Sequence, residues 1–563
     1  MLATDENSQQ AAAVEEGSQI VHRATDARAA CSGRSVCSAD TACNVSMEMA
    51  ERLADGESDS EQELNRMISN IGFGRYHRRV LALCGLGWTA DNAWMQCTAC
   101  ILPRVQRHFG ISNGRIGLLS SCMFLGLMCG ALVWGPVSDR FGRLVPYRWT
   151  LVVSATFGLL ASAAPSFPLL CVCLFGLGSG VGGNMPVDGA IFLEFVPREK
   201  RHLLTMLSVF FSAGSVLTSA VALALLPPFS CPDEGPCDVG KQNNGWRYLL
   251  VTVSLLTIAM VVLRNGWFRL YETPKFLLQN RGRSDVVVVL KKIATFNGAK
   301  AQAAPEDARS PLVPGDGGSN DGSGSEHSWL EWPESEEEES PAPARVGLAA
   351  RLRAAVDVKA HIKLVRPLFA PGLRRTTSLV WAIWGIVAMG FTMFNVFLPK
   401  LLEATPGSSS QVSVYRDALI YAVSGVPGSL LGAWLVDTRL GRIYSMTIAT
   451  AVSGLALIGF AFSTKAHIPA LTIVASSVFG LTSTLMFAVI YAYTPEVFRP
   501  AVRGTACGTA SAIGRVAGIL APLITGLLLE LNSTIPLYVS VALLWAAAVC
   551  MFMLPIETRD IAA

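Results

Sequence analysis

Apolar residues along this chain gather into runs of about twenty, separated by short polar stretches. Windows of about 19 residues pick out such runs near 80–102, 115–138, 145–165, 167–193, 203–226 and 248–268, and again near 377–402, 412–436, 443–463, 468–493, 505–529 and 534–555. At about 1.5 Å of rise per residue, each is long enough for an α-helix to cross a hydrocarbon core of about 30 Å. Helix is the form to expect, because lipid offers no partner to an open backbone N–H or C=O. The pattern predicts an all-α membrane protein of 12 transmembrane helices in two six-helix bundles. The polar stretches divide the chain into a disordered N-terminal tail (1–74), a first bundle (75–270), a linker (271–375), a second bundle (376–556) and a short C-terminal tail (557–563).

Composition sharpens this reading. Of the 563 residues, 51% are hydrophobic and 15% charged, where soluble domains carry about 25% charged residues. The formal charge of +3 comes from basic residues in short loops, with no stripe that could follow phosphates, so nucleic acid is not an expected partner. The polar start lacks a basic segment followed by an apolar core, so no cleavable signal peptide is expected. No phosphate-binding loop, Ser/His/Asp arrangement or metal-ligand spacing stands out, so neither an enzyme nor a cofactor is expected. Most of the 14 cysteines lie inside apolar runs, where thiols behave as small hydrophobes. Cys231 and Cys237 differ: they sit in a polar Pro/Asp/Gly loop, where a disulfide and two free thiols are equally open outcomes.

Basic residues set an orientation. Arg75, Arg78, Arg79, Arg140, Arg143, Arg148, Arg198, Lys200, Arg201, Arg374, Arg375, Arg439, Arg442, Arg499 and Arg503 fall on one side, which the positive-inside rule makes cytoplasmic. The other side is poorer but not empty, holding Arg104, Arg107, Arg115, Lys241, Arg416 and Lys465. Both termini are then cytoplasmic, in the plasma membrane or, as the alternative, an internal one. The centre of the linker, GDGGSNDGSGSEHSWLEWPESEEEES, has a disordered composition. Its flanks, SDVVVVLKKIATF and ARVGLAARLRAAVDVKAHIKLV, can form amphipathic helices that lie on the membrane or pack on the bundle.

The two halves repeat each other. After the second apolar run the chain reads Gly135-Pro-Val-Ser-Asp139-Arg140-Phe-Gly142-Arg143, and after the eighth Asp437-Thr-Arg439-Leu-Gly441-Arg442. Glu194 ends the fourth run with Arg201 seven positions on, and Glu496 ends the tenth with Arg503 seven positions on. Both copies are offset by about 300 residues, as duplication would leave them. The stretch from Gly135 to Arg143 matches in full the G-x-x-x-D-R-x-G-R signature of the major facilitator superfamily, which residues 75–270 and 370–560 resemble. Pro555-Ile-Glu557-Thr558-Arg559 and Tyr271-Glu-Thr-Pro resemble segments of its sugar-porter group. GWTADNAWMQ, GSGVGGNMPVDGAIFLEFVP and YTPEVFRPAVRGTACGTASAIGR are most similar to its synaptic-vesicle-two-related branch. The resemblance implies a transporter working by alternating access. It also implies a cytoplasmic gate in which Asp139, Arg140 and Arg143 pair with Glu194 and Arg201 when that end is closed, with Asp437, Arg439, Arg442, Glu496 and Arg503 as the less regular copy. Ordinary positive-inside anchoring is the alternative for these charges.

Charges inside apolar runs are costly and tend to mark transport pathways. Asp91 lies midway along the first run, Arg515 about ten residues into the eleventh and Asp188 beside Gly180-Val-Gly-Gly-Asn184 in the fourth. Asp91 is the first choice for proton coupling, and Arg515 offers a fork suited to an anionic cargo. Asn92, Gln96, Asn184 and Asn395 supply polar contacts, and Trp384 stands among aromatics that could wall a ligand or simply pack. Sugar porters line their sites with amides, but Gln96 stands nearly alone here, which favours a small organic ion over a hexose. The expected protein is a monomer moving a small molecule, coupled to protons. An uncoupled facilitator, and a non-transporting sensor or scaffold on the same fold, remain the alternatives.

Overall fold

The structure is a computed structural model that describes residues 59–298 and 365–558, apart from 198–199, 201–202, 205, 233–236, 269, 371, 404–409, 437, 439 and 499. The linker centre, the flank at 344–364, Arg198, Arg201, Asp437, Arg439 and Arg499 lie outside the described residues.

The chain opens with α1 (Asp59–Ile71), followed by six long helices, α2 (Arg75–Phe109), α3 (Asn113–Phe141), α4 (Leu144–Ser162), α5 (Phe167–Phe195), α6 (Leu207–Leu225) and α7 (Gly245–Val262). Two short helices, α8 (Pro274–Asn280) and α9 (Arg283–Asn297), precede the second set, α10 (Arg374–Asn395), α11 (Gln411–Leu435), α12 (Gly441–Ala466), α13 (Pro469–Val497), α14 (Pro500–Leu531) and α15 (Ile535–Phe552). Eleven of these twelve long helices are apolar enough to cross a membrane, and α2, with Asp91, Asn92 and Gln96 at its middle, is the twelfth. Large apolar side chains such as Trp434, Val262, Leu531 and Phe552 stand exposed on the surface, as lipid-facing residues must.

Small residues let the helices approach backbone to backbone, which matters where lipid supplies no hydrophobic drive between them. A Cβ added at Gly126 or Gly130 of α3 would lie 2.1 Å from the carbonyl of Phe175 or Ser179 on α5. Reciprocally, one at Gly178 or Gly182 of α5 would lie 2.2 or 2.0 Å from the carbonyl of Met123 or Leu127 on α3.

Two expectations at the edges of the first bundle change. The tail expected to be disordered over 1–74 contains α1, whose Leu64, Met67, Ile68 and Ile71 recur at helical spacing and are buried against Val286, Leu290, Ile293 and Ala294 of α9. The α9 segment packs on the bundle, and Asn297 at its end accepts a hydrogen bond from the Tyr76 N–H at 2.8 Å. The sixth apolar run also does not end as a simple helix. It widens into a π-turn at Leu263–Trp267, a local irregularity common at functional positions.

The halves meet through α3 against α14 and α6 against α11, a pair of contacts related by the repeat. The α3/α14 seam runs from Gly114 N–H on Glu530 (2.8 Å), through Ser121 on the Ile519 carbonyl (2.7 Å), to Arg515 on the Leu127 carbonyl (2.7 Å). Farther toward the end that carries Arg140 and Arg143, a Cβ added at Gly135, Gly504 or Gly508 would meet nothing within 4 Å. The hydrogen bonds seen between the halves among the described residues gather at one end, and none of them lies beyond Leu127 and Arg515 toward the basic end.

The close approach makes a testable distinction. Gly182→Val should lower the thermal unfolding temperature in detergent, at a cost of about 1–3 kcal/mol or more from forced separation of α3 and α5. Gly508→Val should leave it nearly unchanged, and equal losses for the two would contradict the packing described.

Candidate functional site

The middle of the first bundle holds a buried polar network. Asp188 of α5 and Arg264 of the π-turn pair at 2.5 Å, with side chains 0% and 1% exposed. Arg264 also donates to the Tyr147 carbonyl at 3.0 Å and to Asn184 Oδ1 at 3.1 Å, and its guanidinium lies 4.2 Å from the centre of the Tyr147 ring. Asn184 in turn donates from Nδ2 to Asp91 Oδ1 at 3.1 Å and accepts from Thr150 at 3.2 Å. Asp91 Oδ2 is buried without a partner among the described residues. A Cβ at Gly87 would lie 1.9 Å from both Arg264 and Asp188, so only glycine on α2 leaves room for this pair.

This placement revises the sequence reading at several positions. Asp188 is paired through Oδ2 with a fixed charge, Arg264, while its Oδ1 is buried without a partner among the described residues. Arg264 is the lone cation of the apolar run 248–268, and that placement is its signal in the sequence. Asn92 donates to the Phe211 carbonyl at 2.7 Å and Gln96 to Ser219 at 3.1 Å, so both tie α2 to α6. Asn395 accepts from Tyr421 at 2.8 Å and ties α10 to α11. Trp384 donates to Thr494 at 3.0 Å and meets Tyr491 edge to face.

Arg515 is partly buried on α14 at the last rung of the seam, where the halves begin to part. Its bond to the Leu127 carbonyl is its one hydrogen bond among the described residues. Asp91, in the opposite half, lies within electrostatic reach of it.

At the basic end the two copies of the signature build the same corner. Arg143 pairs with Asp139 at 2.7 Å and with Glu194 at 3.1 Å, and its backbone N–H donates to Glu272 at 2.9 Å. Arg442 pairs with Glu496 at 3.0 Å, and its N–H donates to Glu557 at 2.9 Å. Gly142 and Gly441 both adopt positive φ, +95° and +67°, and a Cβ on either would run into Glu272 or Glu557. Gly441 and Arg442 thus keep the corner despite the extra residue before them. Burial pushes the Glu272 carboxyl up, and the N–H groups of Thr273, Arg143 and Leu144 pull it part of the way back. The copies differ in their remaining bonds: Arg143 also donates to Ser138 at 2.9 Å where Arg442 donates to the Val436 carbonyl at 2.9 Å, and Thr558 donates to Glu496 at 2.7 Å whereas Thr273 Oγ1 and Glu194 Oε2 are buried without partners among the described residues. Arg140 is exposed over the Phe141 ring and Arg503 is exposed. The expected gate pairs join elements of one half to each other; none of those described crosses between halves.

The closed end is where charges do cross. Arg104 of α2 bonds Glu403 and, at 3.3 Å, Tyr415. Lys400 bonds Gln106 and, at 2.5 Å, Asn113. The Cys231 and Cys237 sulfurs are bonded, with Cα atoms 5.8 Å apart.

Two six-helix halves, parted toward one end around buried charges, define a membrane transporter rather than an enzyme. The profile of the Major Facilitator Superfamily matches residues 80–522 and 380–562, and the chain belongs to that family. It is 35% identical to MFS siderochrome iron transporter 1 of Ceriporiopsis subvermispora, over 87% of this chain and 89% of that one. It is 28% identical to organic cation/carnitine transporter 7 of Arabidopsis thaliana, over 90% and 97%, and 25% identical to a synaptic vesicle 2-related protein of Pongo abelii, over 87% and 80%. Its fold is that of the inward-open xylose transporter XylE from E. coli, with a TM-score of 0.61 at 15% identity, over 86% of this chain and 97% of that one.

Breaking the buried pair by Arg264→Leu should destabilise the protein by about 3–5 kcal/mol, because Asp188 would be left buried without its partner. Removing both charges with Asp188→Leu and Arg264→Leu should recover much of that loss. A double variant as unstable as the single one in thermal unfolding would rule out the pairing energetics.

Proposed function

We propose that this chain is a secondary transporter of a small organic ion, coupled to protons through Asp91. The basic end is the cytoplasmic one, since positive charge is retained on that side of a membrane. The arrangement of the halves is then the cytoplasm-facing state, and rocking of the halves about the centre carries cargo from one face to the other.

The observation that carries this reading is the state of Asp91. One carboxylate oxygen is held by Asn184 and the other is buried without a partner among the described residues, at mid-membrane depth. A buried oxygen with no donor is stabilised by a proton, and a change of solvent access during rocking would release it. Asn184, itself held by Arg264, holds the carboxylate in place, while Asp188 balances the charge of Arg264. Arg515, across the parting of the halves, supplies the fixed positive charge for an anionic group on the cargo. The names of the relatives include both a siderochrome and an organic cation/carnitine transporter, which supports an organic ion over a sugar without deciding its charge. The shortage of free amides supports the same choice, because Asn92, Gln96 and Asn395 are spent on helix contacts.

Proteoliposomes containing a trapped pH-sensitive dye provide the test, with a panel of small organic carboxylates as cargo. Wild-type protein should move protons together with one of them, and Asp91→Asn should abolish proton movement while retaining cargo binding or exchange. Arg515→Gln should weaken apparent affinity for that carboxylate by about tenfold or more, the value of a charge-assisted bond, with Arg515→Lys intermediate. Cargo movement in Asp91→Asn that still follows an imposed pH gradient would refute coupling at this residue. Binding without flux in the wild-type protein would favour a sensor on the same fold.

A further inference from the structure

The connection between α6 and α7 does more than link two helices. Its Cys231 carbonyl, from a fully buried residue, accepts from Gln411 Nε2 at 2.5 Å and from Arg107 Nη1 at 3.3 Å. The same Arg107 nitrogen donates to the Pro232 carbonyl at 2.9 Å. Asn243, also buried, donates to the Arg104 carbonyl at 2.9 Å. One connection of the first half therefore grips the end of α2 at two residues and receives the first residue of α11 from the second half. The residue it grips, Arg104, itself reaches across to Glu403 and Tyr415.

A carbonyl in irregular backbone is a poor anchor, because an open loop must give up conformational freedom to hold it in one place. The bond between Cys231 and Cys237 removes much of that freedom beforehand by closing a ring six residues apart in sequence. It constrains the acceptor that Gln411 and Arg107 share.

We propose that the Cys231–Cys237 disulfide is a redox-sensitive keeper of the closed end. Oxidised, it holds the Cys231 carbonyl in register with Gln411 and the α2 end, and the halves stay shut there. Reduction by a dithiol frees the loop and lets that end open more readily. In the exchange, one thiolate of the dithiol attacks a cysteine sulfur and the S–S bond breaks. The second thiolate then resolves the mixed disulfide, leaving two protein thiols and the reductant oxidised to its own ring disulfide. The consequence for transport rests on the proposed function, in which this end faces an oxidising exterior.

Hydrogen–deuterium exchange on the full chain in lipid nanodiscs, before and after dithiothreitol, reads the keeper directly. Reduction, verified as two additional thiols by mass, should speed exchange of the α2 end around 104–109 and of the α11 start around 411–416 by about three- to tenfold, the opening expected when one or two hydrogen bonds are lost. The basic end of α3 and α5 should not change. The Cys231→Ser/Cys237→Ser double variant should show the same acceleration without reductant. Oxidised Gln411→Ala should show it at 411–416, with reduction adding little more. Verified reduction of the unmodified chain with unchanged exchange at both segments would overturn the proposal. Because the measurement needs neither cargo nor flux, failure of the transport reading would leave its outcome intact.

Discussion

Lipid cannot solvate a charge, so every ionic group that this chain carries into the membrane must be answered by another part of the protein. The Asp188–Arg264 pair is the clearest case. Its two charges come from a long helix and from a π-turn at the end of another, and both are almost wholly buried. Around it the packing is dictated: Gly87 must lack a side chain, Tyr147 must present both its carbonyl and its ring face, and Asn184 must bridge to Asp91. Asp91 Oδ2 and Asp188 Oδ1 are the carboxylate oxygens that this network leaves buried without a partner among the described residues.

Duplication gives the protein two copies of one mechanical joint. In each, an arginine after a positive-φ glycine pairs with a glutamate ending the fourth helix of its half, while a second glutamate caps the backbone behind it. Such joints make each half rigid at its basic end. Rigid halves are what rocking requires, since a bundle that deformed would not transmit motion from one face to the other. The second half adds a bond from Thr558 to Glu496, and in the first half Thr273 Oγ1 and Glu194 Oε2 have no partner among the described residues.

The opposite end is held differently. There the contacts cross between halves, through Arg104, Lys400, Gln411 and Glu530 as well as the close backbone seam at Gly117 and Gly526. Several modest polar bonds, each costing little to exchange for water, suit a closure that must also open.

The sequence alone determined the membrane class, the six-plus-six plan and the family, because runs of twenty apolar residues and a repeated charge signature are written locally, one stretch at a time. It also marked Asp91 and Arg515, since a charge in an apolar run is visible without knowing its neighbours. What it could not decide was which charge answers which. Asp188, Asn92, Gln96 and Asn395 looked like open polar groups, and only the packing of α2 on α6, of α10 on α11 and of the π-turn on α5 gave each of them a partner. The helix at 59–71 was hidden for a similar reason: its apolar stripe is short and polar-flanked, and it becomes a helix because α9 covers it. Periodicity reports what a segment can do by itself, whereas partnership between segments hundreds of residues apart is a property of the folded chain.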